Sequence, residues 1–271
     1  MLVLAGCARS DPVSPAGADV EEAGTPVSSL APADYEGRYR VVATVLESPG
    51  HGPQLCNAVA QSYPPQCGGP DIIGWDWTRL GAESASGTTW GDYVLTGTWD
   101  GAALTLTEPP RVPTDADRPA DVDYDFSSPC DPPAGGWVGP DPARAGDERI
   151  GQAATAAVTV PGYGGLWIDT APGVTVLNVT TTGDRTAMET AMRDVWGGAL
   201  CVSDTPNDEA TLLAAQRAIS GRDGVLSSGP DVVTGRLQVQ VLIATGTLQS
   251  ALDDEFGAGV IVLQSMLTPI D

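Results

Sequence analysis

The chain is predicted to be an α+β protein, on three observations. Residues 35–110 hold several short alternating runs and no convincing helical stripe. Residues 147–271 alternate apolar helical stripes with strand-like runs. Between them, residues 111–146 carry seven prolines and an acidic run, which is the composition of a linker.

Arg38–Glu47 opens the first region, with Tyr39, Val41 and Ala43 alternating against Arg40, Val42 and Thr44. Asp71–Thr78, Trp90–Trp99 and Ala103–Thr107 read as further strands, and Asp100-Gly101 between the last two is a hairpin signal. Short strands with no helix to cover them must bury a face among themselves. The expectation for 35–110 is therefore a small β-barrel or sandwich, OB-like in size.

In the second region, Glu148–Ala157 is expected to be helical, and Gly165–Thr182 reads as two strands around Ala171-Pro172-Gly173. Thr186–Trp196 places Met188, Met192, Val195 and Trp196 on one helical face, with Thr186 and Glu189 as a capping box. Ala199–Ser203 is a strand. Thr205-Pro206 is expected to open the next helix, continued by Leu212, Leu213, Gln216 and Ile219. Leu237–Ala244 alternates as a strand, Leu248, Leu252 and Phe256 mark a helix ending at Gly257, and Val260–Met266 closes as a strand. Each helix has one stripe to bury. An antiparallel or mixed sheet covered by helices on one face would satisfy them all.

Composition excludes several chemistries. All 13 basic residues are arginines and the formal net charge is -22. Without lysine there is no P-loop, no Schiff-base enzyme and no Ser-x-x-Lys acylation site. Phosphate backbones need clustered positive charge, so nucleic acid is not an expected partner. No cofactor motif is present. Arginine to the exclusion of lysine, with abundant Ala, Gly, Val, Asp and Pro, resembles the products of high-GC actinobacterial genomes.

Leu4-Ala5-Gly6-Cys7 resembles the lipobox of bacterial lipoproteins, and the resemblance implies that residues 1–7 end a signal, with Cys7 the lipid-bearing residue. Only Met1-Leu2-Val3 precede the motif, short of a full basic and apolar signal region. Residues 8–34 are rich in Pro, Ala, Ser, Gly and acid, as in a disordered spacer. The expected location is the extracytoplasmic face of the cell membrane, reached through an N-terminal lipid. No later stretch approaches the ~20 apolar residues of a span. Besides Cys7 four cysteines remain, Cys56, Cys67, Cys130 and Cys201. An even remainder in an exported chain reads as two disulfides with three connectivities open, and a local Cys56–Cys67 bridge leaves Cys130 with Cys201. No Cys-x-x-Cys occurs, and the one histidine, His51, is not spaced with the cysteines as a zinc ligand.

Trp75, Trp77, Trp90 and Trp99 fall within one short β-rich stretch. Large aromatics dominate small β cores, which favours a structural role. If exposed, Trp75 and Trp77, two apart on a strand, would share a face and offer a stacking platform with Trp90, Asp76 and Asp92 near it. Those five residues are the candidate binding set. Asp76 and Asp92 are also the candidates for a carboxylate-dependent glycan hydrolase, the alternative to a non-enzymatic binder. Asp121, Asp123 and Asp125 do not complete a calcium loop, since the sixth and twelfth places hold Phe126 and Pro132. No Gly-x-Ser-x-Gly accompanies His51, so no catalytic triad is assigned.

Gly165-Leu166-Trp167-Ile168-Asp169, Val176-Leu177-Asn178-Val179 and Asp231–Val239 resemble the pro-regions of α-lytic/streptogrisin-type serine proteases over roughly residues 160–265. In that family the pro-region folds and inhibits its protease by adding strands at its surface. The resemblance implies an exported protein partner. No Gly-Asp-Ser-Gly-Gly occurs among these 271 residues, so the expectation is a binding role without an attached protease of this kind. The expected function is binding at the cell surface, of an exported protein or an envelope glycan.

Overall fold

A computed structural model describes residues 30–117 and 125–270, a mixed α and β architecture with several sheets. The first region contains β1 (Arg38–Ser48), β2 (His51–Leu55), β3 (Ala58–Ala60), β4 (Gln66–Gly68), β5 (Asp71–Ile73), β6 (Glu83–Ala85), β7 (Thr88–Trp99) and β8 (Ala103–Leu106). The two long strands, β1 and β7, pair antiparallel from Arg38↔Thr98 to Glu47↔Thr89. β1 also pairs with β2, β2 with β5, β5 with β8 and β8 with β7. Strand alternation turns Tyr39, Val41 and Val45 of β1 inward with Tyr93 and Leu95 of β7, where they meet Leu55, Ile72 and Leu104. Each such fully buried side chain contributes about 1.5–3 kcal/mol relative to exposure. β3 and β4 form a separate hairpin, tied by the Cys56–Cys67 disulfide.

The second region comprises α1 (Asp147–Ala157), β9 (Tyr163–Asp169), β10 (Val176–Thr181), α2 (Arg185–Val195), β11 (Ala199–Asp204), α3 (Glu209–Ile219), β12 (Val225–Asp231), β13 (Arg236–Val241), α4 (Gly246–Phe256), β14 (Ile261–Ser265) and β15 (Thr268–Pro269). The expected single sheet is in fact two three-stranded sheets, β11-β10-β9 and β12-β13-β14. The units repeat one plan. A helix leads into an antiparallel pair, and a second helix crosses over to a parallel third strand. Asp169 and Asp231 end the first strand of their units, and Gly173 (φ 80°) and Gly235 (φ 63°) follow at the same interval in the turn. Each aspartate accepts a backbone N–H two residues on, from Ala171 and Val233, which shapes both turns alike.

In the first unit, Met188, Met192 and Trp196 lie against Leu177 and Val179 of β10 and against Ala153 and Ala157 of α1. In the second, Leu212, Ala215, Ile219 and Leu252 cover Leu237, Val239, Ile261 and Leu263. Helix α2 is capped by Asp184, not by Thr186, since the Asp184 carboxylate accepts the N–H groups of Thr186 and Ala187. Helix α3 starts at Glu209 with Asp208 as its cap. The Thr205-Pro206 start fails because the Thr205 hydroxyl donates to the Asn207 carbonyl instead.

The boundaries read from composition are crossed in two places. β15 pairs with β1, and Ala31, at the end of the expected spacer, is buried and donates its N–H to the Ala244 carbonyl. Residues 1–29, Cys7 included, lie outside the described residues. The linker is pinned at Cys130 by a disulfide to Cys201 of β11. Trp137 and Cys130 pack with Val176, Ala199 and Cys201 on the face of the first sheet turned away from its helices.

Candidate functional site

β5 stops at Ile73 because Gly74 adopts φ 89°, a left-handed conformation that breaks the strand. Trp75 and Trp77 therefore do not share a strand face, contrary to expectation. Asp76 caps the short 3-10 turn Trp77–Arg79, accepting from the Thr78 N–H at 2.9 Å and the Thr78 hydroxyl at 2.7 Å. The turn folds the two indoles back. Trp75 lies edge-on to Trp77 (centroids 4.9 Å) and to Tyr93 (5.1 Å), and both indoles are half-buried against the core. The Trp77 Nε1–H donates to the Glu47 carboxylate at 2.6 Å. These two rings close the interior of the β region.

Trp90 and Asp92 lie on the opposite, outward face of β7, since the intervening alternation sends Tyr93 and Leu95 inward. Trp90 meets Tyr63 edge-to-face, with ring centroids 6.0 Å apart. Tyr63 is 81% exposed and sits between β3 and β4, inside the loop closed by Cys56–Cys67. Asp92 accepts the Thr44 hydroxyl at 2.6 Å across the β1–β7 pair. Asp92 thus faces away from the side on which Trp75 and Trp77 pack. His51 begins β2 opposite Ser48, with Nδ1 2.7 Å from the Gly52 carbonyl oxygen.

Beside this aromatic edge the outward face of β1 floors a groove of about 640 Å³. Arg40, Val42 and Thr44 form the floor, Asn57, Ala58 and Val59 one wall, and Gln240, Ser265 and Met266 of the second unit the other. Asp117 fixes one end. Its carboxylate binds Arg40, both guanidinium nitrogens of Arg111 and the Thr114 N–H and hydroxyl. The Arg111 guanidinium first, and Thr114 after it, hold the Asp117 carboxyl far below the usual carboxylate range. Both cations here are already bound to a carboxylate. The groove offers neutral donors and acceptors beside short apolar walls.

Of the five candidate residues, Trp90 and Asp92 lie on the outward face of β7 near Tyr63, while Trp75, Asp76 and Trp77 lie apart from them after β5. Tyr63 was missed by sequence reading. Its one signal was a large aromatic placed between two bridged cysteines. A second cavity, about 310 Å³ and largely apolar, lies between the β7–β8 hairpin at Trp99 and the second unit. The cation at its wall, Arg222, is paired to both oxygens of Glu255. Among the described residues no group of His, Cys, Asp or Glu could hold a metal ion, and Asp121 and Asp123 lie outside them. Asn178, in a glycosylation sequon, is fully buried. No protein-family model matches the chain, and no curated protein does.

Proposed function

We propose that the chain is an extracytoplasmic protein, lipid-anchored through Cys7, that binds a neutral envelope glycan non-enzymatically at the Tyr63–Trp90 edge and the adjoining groove. The exposure of Tyr63 carries the reading: a large ring left 81% in solvent, on a disulfide-closed hairpin, with a second aromatic edge-on to it. Sugar rings present C–H faces that stack on aromatic rings, and a covalently closed loop loses little freedom on binding. Asn57, Thr44 and Asp92 supply hydrogen-bonding groups along the same face. The net charge of -22 disfavours polyanionic ligands, which points to an uncharged glycan. Two disulfides support an oxidising compartment. We read the first region as a small β-barrel, supported by the return of β7 onto β1. The protease pro-region resemblance likewise supports binding over catalysis.

The test is titration of neutral cell-wall oligosaccharides with intrinsic tryptophan fluorescence. Tyr63→Ala and Trp90→Ala are expected to weaken binding at least tenfold, which is about 1.4 kcal/mol, with an unchanged thermal midpoint. Equal binding by both variants would sink the proposal. Release of shortened oligosaccharide that stops in Asp92→Asn would replace it with the hydrolase reading. Attachment is tested by alkynyl-palmitate labelling in an actinobacterial host, where label retained in Cys7→Ala refutes the anchor.

A further inference from the structure

The two α/β units share one backbone plan and differ in what covers their open sheet faces. On the first unit the strap Phe126–Val138 crosses the face away from the helices. Cys130 is bonded to Cys201, Trp137 packs on Val176 and Ala199, and the Phe126 carbonyl accepts the Trp167 Nε1–H at 3.1 Å. The Ser128 N–H and hydroxyl both bind the Asp169 carboxylate. The strap carries Pro129, Pro132 and Pro133, runs without helix or strand from Phe126 to Pro133, and then turns, the Gly136 N–H donating to the Pro133 carbonyl at 2.8 Å.

Register places Gln238 and Gln240 of β13 where β10 has Asn178 and Thr180. Gln264 of β14 stands where β11 has Ser203. In the second unit these residues line an open cleft of about 390 Å³ with Ser227, Asp231 and Phe126. Two side-chain contacts cross its floor, Gln264 to Gln238 and Ser227 to Gln240, each at 3.3 Å. An amide offers two donors and two acceptor sites, so bonding capacity is left over toward the cleft.

We propose that this face of the second unit is a docking site for an extended, non-acidic polypeptide segment of an exported partner, seated as the strap Phe126–Val138 is seated on the first unit. The chain already uses glutamine to bind extended backbone. The Gln249 side chain donates to the Ile261 carbonyl at 2.9 Å and accepts from the Leu263 N–H at 3.2 Å. The Gln216 side chain donates to the Ser228 carbonyl at 2.9 Å. Gln238, Gln240 and Gln264 present the same amide chemistry to the cleft. The net charge selects against acidic sequences.

The probe is a phage-displayed library of random peptides panned on the full chain, followed by titration of a synthetic selected peptide. The expected result is enrichment of proline- and serine-containing, acid-poor sequences whose binding protects β12 and β13 amides from hydrogen exchange. Binding should weaken about tenfold in Gln238→Ala/Gln240→Ala, as the loss of two ordinary hydrogen bonds requires, with the thermal midpoint kept. Gln238→Leu/Gln240→Leu should weaken it to a similar degree, since neither replacement can hydrogen-bond. Selected peptides that bind both variants as the parent, or protect another surface, overturn the proposal. So does a neutral oligosaccharide whose binding is lost in Gln238→Ala, at a position outside the groove beside Tyr63 and Trp90, while no peptide binds. Concentration-dependent self-association abolished by the same variant would also overturn it, making a second copy the occupant.

Discussion

The two disulfides should differ in worth, and the difference follows from the chain they enclose. Cys130 and Cys201 are separated by 71 residues, Cys56 and Cys67 by 11. In the loop-closure description a cross-link removes about 2.1 + 1.5R ln n cal/mol/K of entropy from the unfolded chain. At 25 °C that is about 4.4 kcal/mol for the long loop and about 2.8 kcal/mol for the short one. Replacing Cys130 and Cys201 by serine also loosens the strap that buries Val176, Ala199 and Trp137, adding to the loss. For a chain of this size each kcal/mol moves the midpoint by roughly 2–4 °C, so a drop of about 10–15 °C is expected. The assay is thermal unfolding of both serine double variants followed by circular dichroism, reading the midpoint. If Cys56→Ser/Cys67→Ser costs as much as Cys130→Ser/Cys201→Ser, or more, loop length is not what makes the long bridge stabilising.

Gln249→Leu should cost about 1–3 kcal/mol, because the Ile261 carbonyl and Leu263 N–H lose their partner at the edge of β14. The same variant should associate with concentration in light scattering, as an uncovered edge strand does; a variant as stable and monomeric as the parent refutes this. Burial raises the carboxyl of Asp169, but the N–H groups of Ala171 and Ser128 and the Ser128 hydroxyl outweigh it, so its pKa lies below the ordinary value. A depressed folded pKa gives stability that is complete above the unfolded value of about 3.9 and is lost as pH falls through the folded one. Asp169→Asn should therefore be less stable at neutral pH and lose stability less steeply on acidification, and parallel acid-unfolding curves would argue against it.

What the sequence disclosed follows the range of the interactions concerned. β13 was legible because it alternates apolar and polar residues, and β1 and β7 because they are rich in β-branched and aromatic residues. β12 was not. Ser227-Ser228-Gly229-Pro230 carries no apolar alternation, and it becomes a strand because β13 and Gln216 of α3 hold its backbone. Trp75 and Trp77 had strand spacing, and a single glycine at φ 89° redirected them. Their neighbour in the candidate set, Trp90, found its partner in Tyr63, far along the chain, and no local pattern announces such a contact. The repetition of the α/β unit was likewise hidden. Trp167 answers to Gly229 and Thr180 to Gln240 in register, while the Asp-x-x-x-Gly turn is common to both.

Charge ties the two proposed sites to each other. Arg40 and Arg111 are both bound to Asp117 and Arg222 to Glu255, so these three cations are engaged with the chain's own carboxylates. With 35 acidic residues against 13 basic, the surrounding surface is anionic. That field is screened beyond about 8 Å at physiological salt, yet it acts on anything entering the clefts. A neutral glycan at Tyr63 and Trp90 gains from stacking and hydrogen bonds, which salt leaves largely untouched. A non-acidic peptide on Gln238 and Gln240 gains part of its approach from charge through the basic residues it carries, and loses that part as salt rises. Binding that responds to ionic strength at one cleft and ignores it at the other is the behaviour that this distribution of arginines and glutamines demands.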